Sequence, residues 1–318
     1  MLFRRISMLI ISMALVLLVS CGGGSNSTIA PPPPTPNAGA LPITAANAQD
    51  ITESVIDAIT SSVELIELVD IVGLPVLTNT NRGLAMALLS DIIQESVACD
   101  TGEVTVTWDD ADNNLLISTG DSFAVVFAMC FTAEVGTTLD GATSLTDMVI
   151  SGDPFNEIAP WELAASFSFD DLSATDSAGT VTIDGAIDFG LSSPDNVVVN
   201  LSVGTSSLTA QETGSSATLS EYSLTQEIDL NALTQAIATS GTLTSTEFEG
   251  SVTFETLQDF VVIGDDNPSA GQLQISDNRS GVLVTVLDNM RVQLDVDTDL
   301  NGSIDATIVV TWDQLDSG

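Results

Sequence analysis

An α+β, β-rich fold is expected from this chain: an N-terminal αα-hairpin packed on a large curved antiparallel sheet, built as a half-barrel or as a sandwich. Three observations predict it. Residues 44–98 carry apolar side chains at three- and four-residue steps, the period of a helix face. From residue 103 to residue 313 the period changes to two, in about twelve segments bounded by Gly, Asp, Asn or Ser. The links between those segments are short, which suits an antiparallel meander with one face to water. Residues 44–98 and 99–318 are expected to form one domain.

Residues 1–20 carry Arg4 and Arg5 ahead of an apolar run from Ile6 to Leu18. The run is short for a membrane span and right for the core of a signal peptide. It closes on Leu18-Val19-Ser20-Cys21. These residues resemble the lipobox of bacterial lipoproteins. The resemblance implies cleavage before Cys21, a diacylglyceryl thioether on its sulfur and acylation of the new N-terminus with fatty acids such as palmitate. Two or three such chains hold a protein on the bilayer, at about 0.8 kcal/mol per buried CH2. Gly22 stands where Asp favours inner-membrane retention in such families, so the expected address is exported and lipid-anchored at the outer membrane. Residues 21–43 then form a Gly/Ser/Pro-rich tether. Pro31 to Pro34 and Pro36 favour a stiff polyproline II spacer, which at about 3 Å per residue reaches roughly 60 Å.

The first helix is expected from Asn47, read as its cap with Asp50 three residues later, along a face of Ile51, Val55, Ile59, Ser62, Ile66 and Val69. It should stop near Gly73 and Pro75. A second runs from Leu84 to about Ala98. Among the strands, Val104, Val106 and Trp108 alternate with threonine, and Val197, Val199, Leu201 and Val203 repeat the pattern. Val282, Val284 and Val286 should pair with Met290, Val292 and Leu294 across Asp288-Asn289, a two-residue hairpin signal. One helix is expected to interrupt the strands, capped by Asp229, faced by Leu230, Leu233 and Ile237 and stopped by Gly241. A weak repeat of apolar, acid or amide, glycine and small residue recurs at Leu139-Asp-Gly-Ala, Ile183-Asp-Gly-Ala, Phe248-Glu-Gly-Ser and Leu300-Asn-Gly-Ser. Glycine inside a strand pattern marks a bulge or bend.

Composition narrows the function. The chain of 318 residues holds 44 Asp+Glu, five arginines, no lysine and no histidine. Loss of the leader would leave Arg82, Arg279 and Arg291 as its cations. Such a field repels phosphate backbones and cannot supply the contacts that nucleic acid needs, so nucleic acid is excluded as a partner. Without His or Lys there is no Ser-His-Asp or Cys-His chemistry, no Schiff base and no P-loop. With 44% apolar residues the chain lacks the composition of a disordered protein.

Cys99 and Cys130 remain as an even pair once Cys21 is acylated, and in an oxidising compartment they should form a disulfide. Between them Asp110, Asp112, Asn114, Ser118 and Asp121 fall at positions 1, 3, 5, 9 and 12 of an EF-hand-like loop, with Leu115 where glycine is normal. Asp297, Asp299, Asn301 and Asp305 form a second cluster, with Gly302 in place but Ile308 at position 12. Alternate oxygen ligands of this kind converge on one hard cation, so calcium is the metal expected if the loops bind one. Turn-forming Asp and Asn in ordinary hairpin loops account for the same residues. No cofactor is required.

The stretch from Cys99 through Trp108, the Asp-rich loop, Ser118-Thr-Gly-Asp121, Phe127, Cys130 and Leu139-Asp-Gly141 resembles a pattern in uncharacterised β-rich bacterial envelope lipoproteins. The end at Val310-Thr-Trp312 looks similar to their termini. That family offers no activity to carry over. A non-enzymatic envelope lipoprotein with a structural or partner-binding role is therefore expected, its partners the bilayer through Cys21 and an unknown protein. A periplasmic carrier of acyl chains or another hydrophobic ligand is the alternative, because a curved sheet with helices against it is similar in outline to the lipoprotein-carrier half-barrels. A carboxylate-pair glycosidase is the remaining enzymatic option.

Overall fold

A computed structural model describes residues 42–71, 96–114, 117–133, 136–154, 158–264 and 267–315. One long helix, α1 (Ala48–Ile71), precedes fourteen strands and a four-residue helix, α2 (Trp312–Leu315). The first seven strands are β1 (Ser96–Ala98), β2 (Thr101–Asp109), β3 (Ser122–Thr132), β4 (Thr137–Asp153), β5 (Ile158–Thr175), β6 (Thr180–Ser193) and β7 (Val198–Glu212). The rest are β8 (Ser215–Asp229), β9 (Thr234–Ser245), β10 (Gly250–Ile263), β11 (Ala270–Ser276), β12 (Gly281–Asp288), β13 (Arg291–Asp297) and β14 (Ala306–Thr311). Every strand pairs antiparallel with its neighbours in sequence, giving one open sheet in the order β1 to β14. The two sheets of a sandwich are absent among the described residues.

The period-two pattern works as expected. Along β5 the residues Trp161, Leu163, Ala165, Phe167 and Phe169 are buried, while the intervening positions are more exposed. The inward residues of β2 to β14 join one apolar core with the buried face of α1. Alternation is broken by bulges on most strands, and these bend the sheet. Gly141 and Gly185 both sit at register shifts with positive φ, as the repeat suggested. Gly250 and Gly302 do not: the first opens β10 after a turn, and the second lies in the β13–β14 loop.

Four elements differ from the sequence expectation. Asn47 is not the cap of α1. Its Oδ1 accepts the Thr44 amide at 2.7 Å, and Thr44 Oγ1 accepts the Ala46 amide at 3.3 Å. Thr44 is the cap, and Asn47 is the reciprocal member of a capping box. The helix expected at residues 229–241 is a turn followed by β9. Asp229 Oδ1 accepts the amides of Asn231 and Ala232, both at 2.8 Å, so the chemistry of a helix cap closes a hairpin instead. Ile237 then pairs with Gln226 on one side and Phe260 on the other, and Gly241 lies opposite Phe254. Of the second helix expected at 84–98, Ser96–Ala98 is strand β1 and the remainder falls outside the described residues, so the αα-hairpin has no support. The β12–β13 hairpin pairs Val284 with Leu294 and Val286 with Val292, but Val282 pairs with Val296, and the two turn residues are Asn289 and Met290.

Helix α1 buries Ala48, Ile51, Val55, Ala58 and Ser62, a face at three- and four-residue steps. It contacts β9, β13 and α2. The approach to it is fixed where the Ile43 amide donates to Ser280 Oγ in the β11–β12 turn at 2.6 Å. Further along, Ser62 Oγ donates to the Ile59 carbonyl and lies 2.7 Å from the Tyr222 hydroxyl, which therefore donates to it. Burial pushes the Tyr222 phenol up to about 12. The folded chain thus holds this proton more tightly than the unfolded chain, whose phenol titrates near 10. The stability so contributed is present below pH 10 and is lost as pH rises toward 12. Tyr222 is the single tyrosine. Tyrosinate absorbance should therefore stay flat through pH 10 and rise together with loss of structure; a simple transition near pH 10 in the folded protein would refute this.

Candidate metal centres

Two hairpin connections, β2–β3 and β13–β14, bring carboxylates together. In each, three residues offer oxygens that lie within 4.8 Å of one another: Asp110, Asp112 and Asp121 in the first, Asp297, Asp299 and Asp305 in the second. Strands flank both loops, so neither is an EF-hand.

The loops share a local design. At position 5 the Asn114 amide donates to Asp110 Oδ1 and Asp112 Oδ1, both at 3.2 Å. The Asn301 amide makes the same pair of bonds to Asp297 Oδ1 and Asp299 Oδ1, both at 3.3 Å. At position 4, Asn113 and Leu300 both have positive φ, 57° and 52°. A later carboxylate returns to the amide of position 2 in both: Asp121 Oδ1 accepts from Ala111 at 3.0 Å, and Asp305 Oδ2 accepts from Thr298 at 2.9 Å. The same five-residue turn is thus closed by an acid from position 12 in one loop and from position 9 in the other.

Asp121 is fully buried and is the best-anchored acid of the first loop, since Ser118 donates its amide to Oδ2 at 2.7 Å and its hydroxyl at 3.3 Å. In the second loop partial desolvation pushes Asp297 up. Amide donors from Gly302, Asp299 and Asn301 outweigh it and hold the carboxyl below the usual range. The hydroxyl and amide of Thr298 do the same for Asp305. Both are ionised at neutral pH. At 4–5 Å each like-charged pair repels by about 1 kcal/mol even in bulk water. A divalent cation, which takes carboxylate oxygens at about 2.3–2.6 Å, would convert that repulsion into attraction.

Asn114 Nδ2 donates to Asp112 Oδ2 at 2.8 Å, and Asn301 Oδ1 accepts the Ser303 amide at 2.8 Å. In each loop the fold brings three of the expected carboxylates together. The Cys99–Cys130 disulfide is present, with Cα atoms 5.3 Å apart, and it closes the hairpin that carries the first loop. Cys21 lies outside the described residues. No family model, curated protein or solved structure matches the chain.

Proposed function

We propose that the protein is a non-enzymatic lipoprotein of the cell envelope, anchored at the outer membrane through acylated Cys21 and displayed on the tether of residues 22–43. Its β-meander, coiled as a half-barrel around α1 and clasped by calcium at two hairpin loops, serves a structural or partner-binding role. The observation that carries this reading is the buried Cys99–Cys130 bridge, because such cross-links persist in exported proteins. The contacts of α1 with Tyr222 on β8, with β9 and with β13 support the half-barrel, since one helix spans strands up to five apart. The matching conformation of the two acidic loops supports calcium.

The full chain, expressed in a Gram-negative host supplied with labelled palmitate, should carry the label and fractionate with the outer membrane, and Cys21→Ser should remove both properties. An unlabelled, soluble wild-type protein would overturn the reading. With dissociation constants near 1 mM, 10 mM calcium would stabilise the fold by about 1.4 kcal/mol per site. Across two sites the melting temperature should rise by roughly 5–10 °C. Asp112→Asn with Asp299→Asn, both exposed, should abolish that rise with little change in the calcium-free melt. A rise that survives both substitutions would remove calcium from these loops.

A further inference from the structure

The outer face of β5 to β10 carries a groove of about 400 Å³. It exists because the strands crossing it present little bulk there. Gly190, Ser192, Ser202, Ala236 and Ala238 line it. A Cβ at Gly190 would meet Ser202 Oγ at 2.7 Å, so the floor has no room for a larger residue without displacement.

Three carboxylates from three strands stand along this groove: Glu162 on β5, Glu227 on β8 and Asp259 on β10. Register fixes their order. Glu162 is opposite Ser192, Ser192 opposite Asn200, and Asn200 opposite Glu227, so Glu162 and Glu227 stand level on strands three apart. Strand spacing puts them roughly 14 Å from one another, with Asp259 about 10 Å further across. They are therefore spaced charges rather than a cluster. All three are exposed, and no hydrogen bond or ion pair engages them among the described residues. No lysine or arginine lines the groove.

We propose that this groove binds a linear oligoamine, a chain of protonated amines joined by short methylene runs, laid across the strands from Glu162 to Asp259. The amines pair with the spaced carboxylates and with the hydroxyls and amides of Ser192, Asn200, Ser202 and Thr225. The methylene runs lie over Gly190, Ala236 and Ala238. A compact monoamine meets one carboxylate and gains little. This inference is independent of calcium and of lipid anchoring.

The test is calorimetric titration of spermine into the detergent-solubilised full chain at physiological salt, with calcium present. The variant E162Q/E227Q/D259N should bind at least tenfold more weakly than wild type. The variant D170N/D184N/E255Q removes the same charge from exposed positions outside the groove and should lose less than twofold. Gly190→Val fills the floor without altering charge and should also cost at least tenfold. Equal losses in the two charge variants would overturn the proposal, because spermine would then be a counterion to the whole acidic surface. So would an absence of saturable binding, or binding of tetralysine with none of spermine, which would assign the groove to a protein segment.

Discussion

Gly141→Ala should lower the melting temperature by roughly 6–12 °C, against roughly 2–4 °C for Gly214→Ala. Both glycines have positive φ, +105° and +89°, so both substitutions bring backbone strain of about 1 kcal/mol or more. They differ in what the new methyl meets. At Gly214 nothing lies within 4 Å. At Gly141 the Cβ would sit 2.4 Å from the Asp171 carbonyl oxygen and 2.8 Å from its carbon. These are backbone atoms, so no rotamer change relieves the clash, and the cost rises to about 3 kcal/mol. Gly185 is built the same way, 2.3 Å from the Ser207 carbonyl oxygen, and Gly102 approaches the carbonyls of Ala128 and Met129. Glycines on β2, β4 and β6 thus face bulged backbone on β3, β5 and β7, and the strands bend along that line. Phe127 lies opposite Gly141 and Phe169 opposite Gly185, the cross-strand pairing in which an aromatic residue faces a bend glycine. Equal melting losses at Gly141 and Gly214 would show that strain alone matters and that the close approach costs nothing.

That line was half legible in the residues. Gly141 and Gly185 stand out because each follows an apolar residue and an acid inside an alternating strand. Gly241, opposite Phe254, has the same role without that signature, and Gly250 and Gly302 have the signature without the role. The difference lies in which residue stands across the strand pair, and local sequence does not carry that. The helix expected at 229–241 failed for a related reason. An aspartate that binds the amides two and three residues ahead serves a helix cap and a hairpin turn alike. The alternation of Ile237, Thr239 and Leu243 then joined β8 to β10. The acidic loops were more legible, because their geometry is local: positions 1, 3 and 5 determine the turn wherever it occurs. The groove was not legible, since Glu162, Glu227 and Asp259 come to line it only through the register of six strands. That the strands form one open sheet rather than a sandwich likewise depends on strand order, a long-range property that periodicity does not encode.

Cys99→Ala with Cys130→Ala should remove roughly 3–4 kcal/mol of stability, the chain-entropy value for a cross-link with a sequence separation of 31. The bridge joins the start of β2 to the end of β3, beside the bulge where Gly102 packs against Ala128 and Met129. A bulge of this kind interrupts the ladder: Thr101 pairs with Phe131 and Glu103 with Ala128, so one extra residue is held on β3. The covalent link keeps the hairpin in register where its hydrogen bonds are weakest. Both sulfurs belong to buried residues, 2% and 4% exposed, so a reductant should act only after the hairpin opens. Urea unfolding gives the measurement. The double variant should show a lower midpoint and a steeper slope than wild type, since an unfolded chain without the cross-link exposes more surface. Wild type unfolded and refolded in reductant should match the variant. Coincident curves for oxidised wild type and the variant would mean that the bulged β2–β3 register is held by side-chain packing alone, with the disulfide adding nothing to it.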